Sequence, residues 1–260
     1  MARVSIEYED HVAHVRLTRG DKMNALDPAM MRAIISAGQE VAASDVRAVV
    51  LSGEGASFCS GLDLASFAEL AGQDTESWLM DRAYHDANEV QEVALVWRRV
   101  PVPVIAALQG AVYGGGLQLA LGADIRVASP DAKLAVAEMK WGLVPDMGGM
   151  ALLPRLMRSD VLRQMVYTGR PITAARAEIW GLVTLIDDEP LAAAQALSTE
   201  IAGKSPSAIR AAKRLIDVAE QASRADVLLE ESREQAGLIG KPDQMEVVAA
   251  HFQGRNPEFK

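Results

Sequence analysis

The chain has 260 residues, half of them hydrophobic, with a formal net charge of −9 and a mean hydropathy of +0.07. That length can bury a large core, the apolar content excludes a disordered protein, and the acidic balance argues against nucleic acid or an anionic membrane as the main partner. A single cysteine, Cys59, permits no intrachain disulfide and suits a reducing compartment.

Along the chain, residues 4–8 and VAHVRL (12–17) read as a strand hairpin, the second with clear alternation. Asp27-Pro28 opens a helix, with Asp as N-cap and Pro in the first turn, running to about residue 43. RAVVLSG (47–53) is a buried strand that ends at glycine, and one long helix is expected over residues 75–99. The first ten residues, MARVSIEYED, lack the apolar centre of a secretory signal.

Residues 100–123 carry no charge, a length that could span a membrane, but Pro101, Pro103, Gly110, Gly114–Gly116, Gln109 and Gln118 interrupt them. A buried strand (103–108), a turn and a short buried helix (115–121) explain them better, and the expectation is a soluble cytoplasmic protein. DIRVAS and KLAVAE follow as strands. Strands and helices interleave to about residue 190, the pattern of an α/β fold, and residues 191–260 read as helical (191–203, 207–221, 225–239, 245–252). Two parts are therefore expected: an α/β core over 1–190 and a helical C-terminal part over 191–260.

Several chemistries find no support. There is no GxSxG elbow, and GEGASF (53–58) lacks the last glycine of a dinucleotide loop. Histidines 11, 14, 85 and 251 are scattered, so no metal centre is expected. A nucleophilic Cys59 would need a base nearby, and a buried structural thiol is the simpler reading.

YGGGLQLALGADI (113–125) is more informative, because three glycines follow a buried strand and lead into an apolar helix. Free N–H groups at a helix start, approached closely through glycine, suit a developing oxyanion; a tight strand–helix junction would use the same residues. FCSGLDL (58–64) is a second backbone turn after a buried strand, where Ser60 and Gly61 could present the N–H of Leu62, or Asp63 could simply cap a helix. EMKWGLVPDMGG (138–149) sets Glu138 and Asp146 eight residues apart around an apolar turn. Read alone, Asp146 caps the helix beginning near Gly149 and Glu138 pairs with Lys140 or an arginine; alternatively, both acids sit in a dry pocket for proton transfer.

Taken together with RGDKMNALD (19–27), LLPRL (152–156), TGRPITAARAEIWGLV (168–183) and HFQGRNPEF (251–259), these segments resemble the crotonase superfamily, the enoyl-CoA hydratase/isomerase family, in order and over nearly the whole chain. The resemblance implies a spiral of ββα units with a helical C-terminal region that packs trimers, often paired into hexamers. It implies an acyl-CoA thioester substrate, coenzyme A being part of the substrate rather than a separate cofactor, with the thioester oxygen held by the N–H groups of Leu62 and Gly115. Lys22, Ala25, Ser60, Gly61, Asp63, Leu64 and Gly114 would line the substrate groove, and Phe252 would close a neighbouring subunit's pocket.

The family's hydratases use two glutamates, one three residues beyond the second oxyanion glycine and one twenty residues further on. Here these positions hold Gln118 and Glu138, and glutamine exchanges no proton at neutral pH. Asp146 stands where typical hydratases carry glycine, whereas dienoyl-CoA isomerases carry a Glu and an Asp at this same spacing. Those isomerases usually place an Asp where this chain has Gln118. The expected activity is a double-bond shift through a thioester enolate, with Glu138 and Asp146 as acid/base pair and Gln118 beside them. Two alternatives remain: hydration of a 2-enoyl-CoA by Glu138 with Gln118 holding the water, and a non-catalytic acyl-CoA-binding oligomer.

Overall fold

The computed structural model describes residues 2–63, 65–66 and 74–259. Its first hairpin joins β1 (Val4–Glu9) to β2 (Val12–Leu17). The two-residue link, Asp10 and His11, takes φ values of 44° and 66°, the left-handed pair that suits a tight turn between twisted strands. Helix α1 (Pro28–Ala42) starts as its sequence predicts, with the Asp27 carboxylate accepting from the Met30 N–H at 2.7 Å. It leads to β3 (Ala48–Gly53), parallel to β2.

The single helix expected over 75–99 is two. α2 (Thr75–Met80) ends before residues 81–88, which include a Tyr84–Ala87 bridge and His85 at φ 60°. α3 (Glu89–Arg99) then begins with a capping box: the Asn88 side chain accepts from the Gln91 N–H while Gln91 Oε1 accepts from the Asn88 N–H. An N-xx-Q start is a strong local signal, and it overrides the general helix propensity of the stretch.

The uncharged stretch 100–123 folds as β4 (Val104–Leu108), β5 (Ala111–Tyr113) and α4 (Gly115–Leu121), the breaks falling at its prolines and glycines. No helix among the described residues is long and apolar enough to cross a membrane. There follow β6 (Ile125–Ala128), β7 (Lys133–Ala135), a 3-10 turn (Glu138–Trp141), α5 (Gly149–Leu156), α6 (Ser159–Thr168), β8 (Ile172–Thr173), α7 (Ala174–Ile179) and β9 (Leu185–Ile186). The main sheet runs β1-β2-β3-β4-β6-β9, antiparallel only at β1/β2, and a small sheet runs β5-β7-β8.

A parallel sheet buried on both faces needs continuous apolar strands, which is how AVVLS and VIAAL read. One face packs on α1, α3 and α4 through residues such as Leu51, Trp97, Leu117 and Leu119. The opposite face, with Val50, Ile105 and Val127, is covered by Ala194 and Ala202 of α8 (Pro190–Ala202). The first helix of the C-terminal part is thus a layer of the core. α9 (Pro206–Ala219), α10 (Arg224–Leu238) and α11 (Pro242–Gln253) follow, and Ser205 caps α9 through the Ala208 N–H as its S-P-S-A start predicts.

α9 is anchored by a buried cation. Lys213 Nζ donates to Asp124 Oδ2 at 2.8 Å and to the carbonyls of Val102 and Trp97 at 3.0 and 3.4 Å. Asp124 in turn accepts from the Val104 N–H at 2.7 Å. Removing one partner of such a pair strands the other, so Asp124→Ala is expected to lower stability by about 3–5 kcal/mol in urea unfolding. Lys213→Met, which removes the charge itself, should be milder.

Candidate active site

Two backbone segments meet at the C-terminal end of the parallel strands. The first leaves β3 at residue 53. Its Phe58 N–H donates to the Gln109 carbonyl at 2.8 Å, and the Cys59 N–H donates to that of Ala111 at 3.1 Å. The Tyr113 N–H returns to the Cys59 carbonyl at 3.1 Å, so residues 58–60 pair parallel to β5. Beyond this, Leu62 pairs with Leu26 through the Gly61 carbonyl and the Asp63 N–H, which leaves the Leu62 N–H turned away from that bridge.

The second segment is the start of α4. Gly114 holds φ 51°, and its N–H is taken by the Ala135 carbonyl at 2.9 Å. Gly115, as first residue of the helix, has no preceding turn to bond to, and its N–H stays available. The segments touch: a Cβ on Gly61 would lie 2.7 Å from the Tyr113 carbonyl oxygen and 3.6 Å from the Gly115 nitrogen. A Cβ on Gly116 would lie 2.3 Å from the Cys59 carbonyl oxygen. These glycines let the two main chains approach closely enough that Leu62 and Gly115 line one cavity.

A cavity of about 810 Å³ opens in front of them. Lys22, Ala25, Ser60, Gly61, Leu62, Asp63, Gly114, Gly115, Glu138 and Asp146 all line it. Trp78, Leu79, Val90, Leu143, Val144 and Met147 supply apolar wall. Trp78 lies on this wall, whereas Tyr84, from the segment that follows α2, packs at the edge of the core. Leu64 lies outside the described residues. Phe252 stands 84 % exposed on α11, apart from this cavity.

The two acids differ in setting. Glu138 is buried at the start of the 3-10 turn, and burial, with the nearby Asp146 charge adding to it, pushes its carboxyl above the usual carboxylate range. Its Oε1 accepts from Gln118 Nε2 at 2.6 Å, while its Oε2 is buried without a hydrogen bond among the described residues. Asp146 keeps accessible surface on the cavity wall, but surrounding protein strips enough hydration to raise its pKa too. The bland roles considered for both fail on geometry. The N-cap of α5 is Gly148 without a side-chain cap, so Asp146 does not cap that helix, and Glu138 bonds to Gln118 rather than to Lys140 or an arginine.

Gln118 is 1 % exposed and stands behind Glu138, off the cavity wall. Asp63 accepts from the Ala65 N–H at 3.1 Å and pairs with Arg19 at 2.8 Å, and these contacts hold its carboxyl below the usual range. The Cys59 thiol, buried completely, is pushed up to about 12 and donates to the Asn24 carbonyl, which makes it structural.

Two organising residues went unnoticed in the sequence. Arg19 bridges Asp27 and Asp63, tying the loop before α1 to the Leu62 segment. Asn24, at φ 52° and fully buried, accepts from the Arg19 N–H and donates to the carbonyls of Glu54 and Ser57. An asparagine inside a loop rich in turn formers was the available signal.

Known proteins resemble this chain in sequence and in fold. The family described as enoyl-CoA hydratase/isomerase matches residues 7–260. A Bacillus subtilis protein named for that hydratase/isomerase pair is 32 % identical, the match covering 96 % of this chain and 95 % of that one. The human protein named delta(3,5)-delta(2,4)-dienoyl-CoA isomerase is 35 % identical, over 79 % of this chain and 65 % of its own length. The crystal structure of an enoyl-CoA hydratase from Bacillus anthracis superposes with a TM-score of 0.88 at 30 % identity, covering 99 % of both chains. A family match over residues 7–260, with the Bacillus subtilis and Bacillus anthracis proteins shared over nearly their whole length, places the chain in the enoyl-CoA hydratase/isomerase family, with the crotonase fold.

Proposed function

We propose that this enzyme moves a carbon–carbon double bond in an acyl-CoA thioester by proton transfer. The observation that carries the reading is the pairing of Glu138 and Asp146 on one cavity wall, both with raised pKa, next to the Leu62 and Gly115 N–H groups. One carboxylate removes a proton from carbon, and the electron pair moves through the conjugated system onto the thioester oxygen. The two N–H groups stabilise that charge, with one good donor worth about 3–4 kcal/mol of barrier. The other carboxyl, protonated, returns a proton at a different carbon as the carbonyl reforms, so protons and electrons balance and no water is consumed.

The resemblance to relatives named as hydratases supports a second reading, addition of water to a 2-enoyl-CoA. Separate incubation with a 2-enoyl-, a 3-enoyl- and a 3,5-dienoyl-CoA, with products identified by mass and chromatography, decides between them. Fast 3-hydroxyacyl-CoA formation without isomer would sink the double-bond shift. Asp146→Asn is expected to lower kcat for that shift about 10²-fold or more with a small change in KM. An unaffected rate would remove Asp146 from the mechanism.

The acidic chain and its one inert thiol suit a reducing compartment such as the cytoplasm. Exposed Ile179, Ile239 and Phe252 suit self-association into trimers or hexamers, with Phe252 reaching a neighbour's cavity; sedimentation would give the state.

A further inference from the structure

Gln118 touches Glu138 and the backbone that follows Asp146. Its Oε1 accepts from the Met147 N–H at 2.8 Å and the Gly149 N–H at 3.0 Å, and its Nε2 donates to Glu138 Oε1 at 2.6 Å. Two backbone donors at one end identify that end as oxygen. The reverse orientation would set an NH₂ against two N–H groups and an oxygen against a carboxylate. The amide oxygen has two lone pairs, and both are taken. The space is equally constrained, since a Cβ on Gly149 would lie 2.7 Å from Gln118 Oε1. Gly149 thus serves the side chain of α4 as much as the start of α5.

We propose that Gln118 is a positioning residue that sets which reaction this site supports: its amide joins Glu138 to the backbone beside Asp146, leaves Oε2 as the atom through which Glu138 trades protons, and offers no acceptor to a water molecule. This rests on the reading of Glu138 and Asp146 as the acid/base pair.

Hydration needs an acceptor for the proton that water sheds as it attacks carbon. A carboxylate at position 118 could serve; an amide whose oxygen is saturated by two backbone N–H groups does not. A double-bond shift has no such need, and asks instead that two proton carriers keep a fixed separation. The strut supplies that. The segment between the acids is exposed at Trp141, Leu143 and Val144, yet the residue after Asp146 and the residue before Met139 are held by the same amide. Asp146 is the charged group acting on Glu138, while Lys140 on the same turn makes no ion pair with it among the described residues. α6 also packs on that turn, but its Asp160 and Arg163 are engaged with Arg158 and with Ser159 and Tyr167.

The test uses Gln118→Glu and Gln118→Met in full-length enzyme labelled with carboxyl-¹³C glutamate, the Glu138 resonance being assigned with Glu138→Gln. Gln118→Glu keeps an oxygen for the two backbone N–H groups, so it should fold even if Gln118→Met does not, as checked by thermal melting. Loss of the N–H donor that favours ionised Glu138 is expected to raise its titration midpoint in both variants, more in Gln118→Glu, which adds a charge. At neutral pH kcat for the double-bond shift should fall about tenfold or more, with KM for the acyl-CoA within about twofold of wild type. In Gln118→Glu the ratio of 3-hydroxyacyl-CoA to isomer should rise about tenfold or more. If the wild type itself adds water efficiently, the isomerase reading falls and the claim of reaction choice with it. If the wild type shifts the double bond but neither variant moves the Glu138 midpoint or the product ratio, the positioning claim alone is overturned.

Discussion

Glu138→Gln is expected to lower kcat about 10²–10⁴-fold with little change in KM, and at the same time to make the protein more stable. The first effect follows from removing a proton carrier that no neighbour replaces. The second follows from the direction of its shift. The folded-state pKa of Glu138 lies above its unfolded value, chiefly through burial. Between those two values the native state holds more protons than the unfolded chain, so stability falls as pH rises through that window, and above it an ionised Glu138 opposes folding. Glutamine removes the charge, and its carbonyl can still accept from Gln118 Nε2. Kinetics together with thermal denaturation at pH 5 and pH 8 check both halves. The gain in Tm should be larger at pH 8; an equal or lower Tm there would mean that Glu138 is held for stability.

Gly61→Ala should be nearly as damaging to turnover for a different reason. Gly61 sits at φ 93°, where a side chain is strained, and the added Cβ would lie 2.7 Å from the Tyr113 carbonyl oxygen. That contact is with backbone in a paired strand, so the Leu62 segment has to move instead, and its N–H leaves the point it shares with Gly115. Losing one such donor lowers kcat about 10²–10³-fold. Gly240→Ala is the control. It shares the positive φ, at 72°, but its Cβ would meet nothing within 4 Å, so a loss of about 1–2 kcal/mol without loss of turnover is expected. Equal kcat values for the two variants would show that the Leu62 N–H takes no part.

Local chemistry made most elements readable. Asp27-Pro28 and Ser205-Pro206 begin helices where such pairs should, and the apolar runs of β3 and β4 are buried on both faces. Over 75–99 composition alone favours one helix, and the Asn88–Gln91 capping box divides it. The C-terminal helices were legible as helices, but the docking of α8 on the sheet depends on small residues, Ala194 and Ala202, whose role is visible only in contact. At the site, the glycine run and the two acids stood out by residue type, while Lys22, Ala25, Ser60 and Asp63 followed only from the resemblance to the family. The Gln118 strut was not, because its partners are main-chain N–H groups, which leave no mark on residue type at position 147, and the room that Gly149 gives the amide is visible only in contact. The acyl-side wall brings Trp78 together with Leu143 and Val144, residues distant along the chain.

The pairing of Cys59 with Val112 has a consequence for how such a protein can change over time. It fastens the Leu62 and Gly115 segments to each other through main chain, so the proposed anion site rests on backbone and on the absence of side chains at its glycines rather than on a functional side chain. The acids lie instead on the 3-10 turn and in the partly exposed segment that follows it. Substitutions there can exchange, add or remove proton carriers while the place where negative charge collects stays as it is. A scaffold divided in this way can acquire a new reaction by altering Gln118 and the residues from Glu138 to Gly149 that it touches or spans, with its main-chain framework inherited intact.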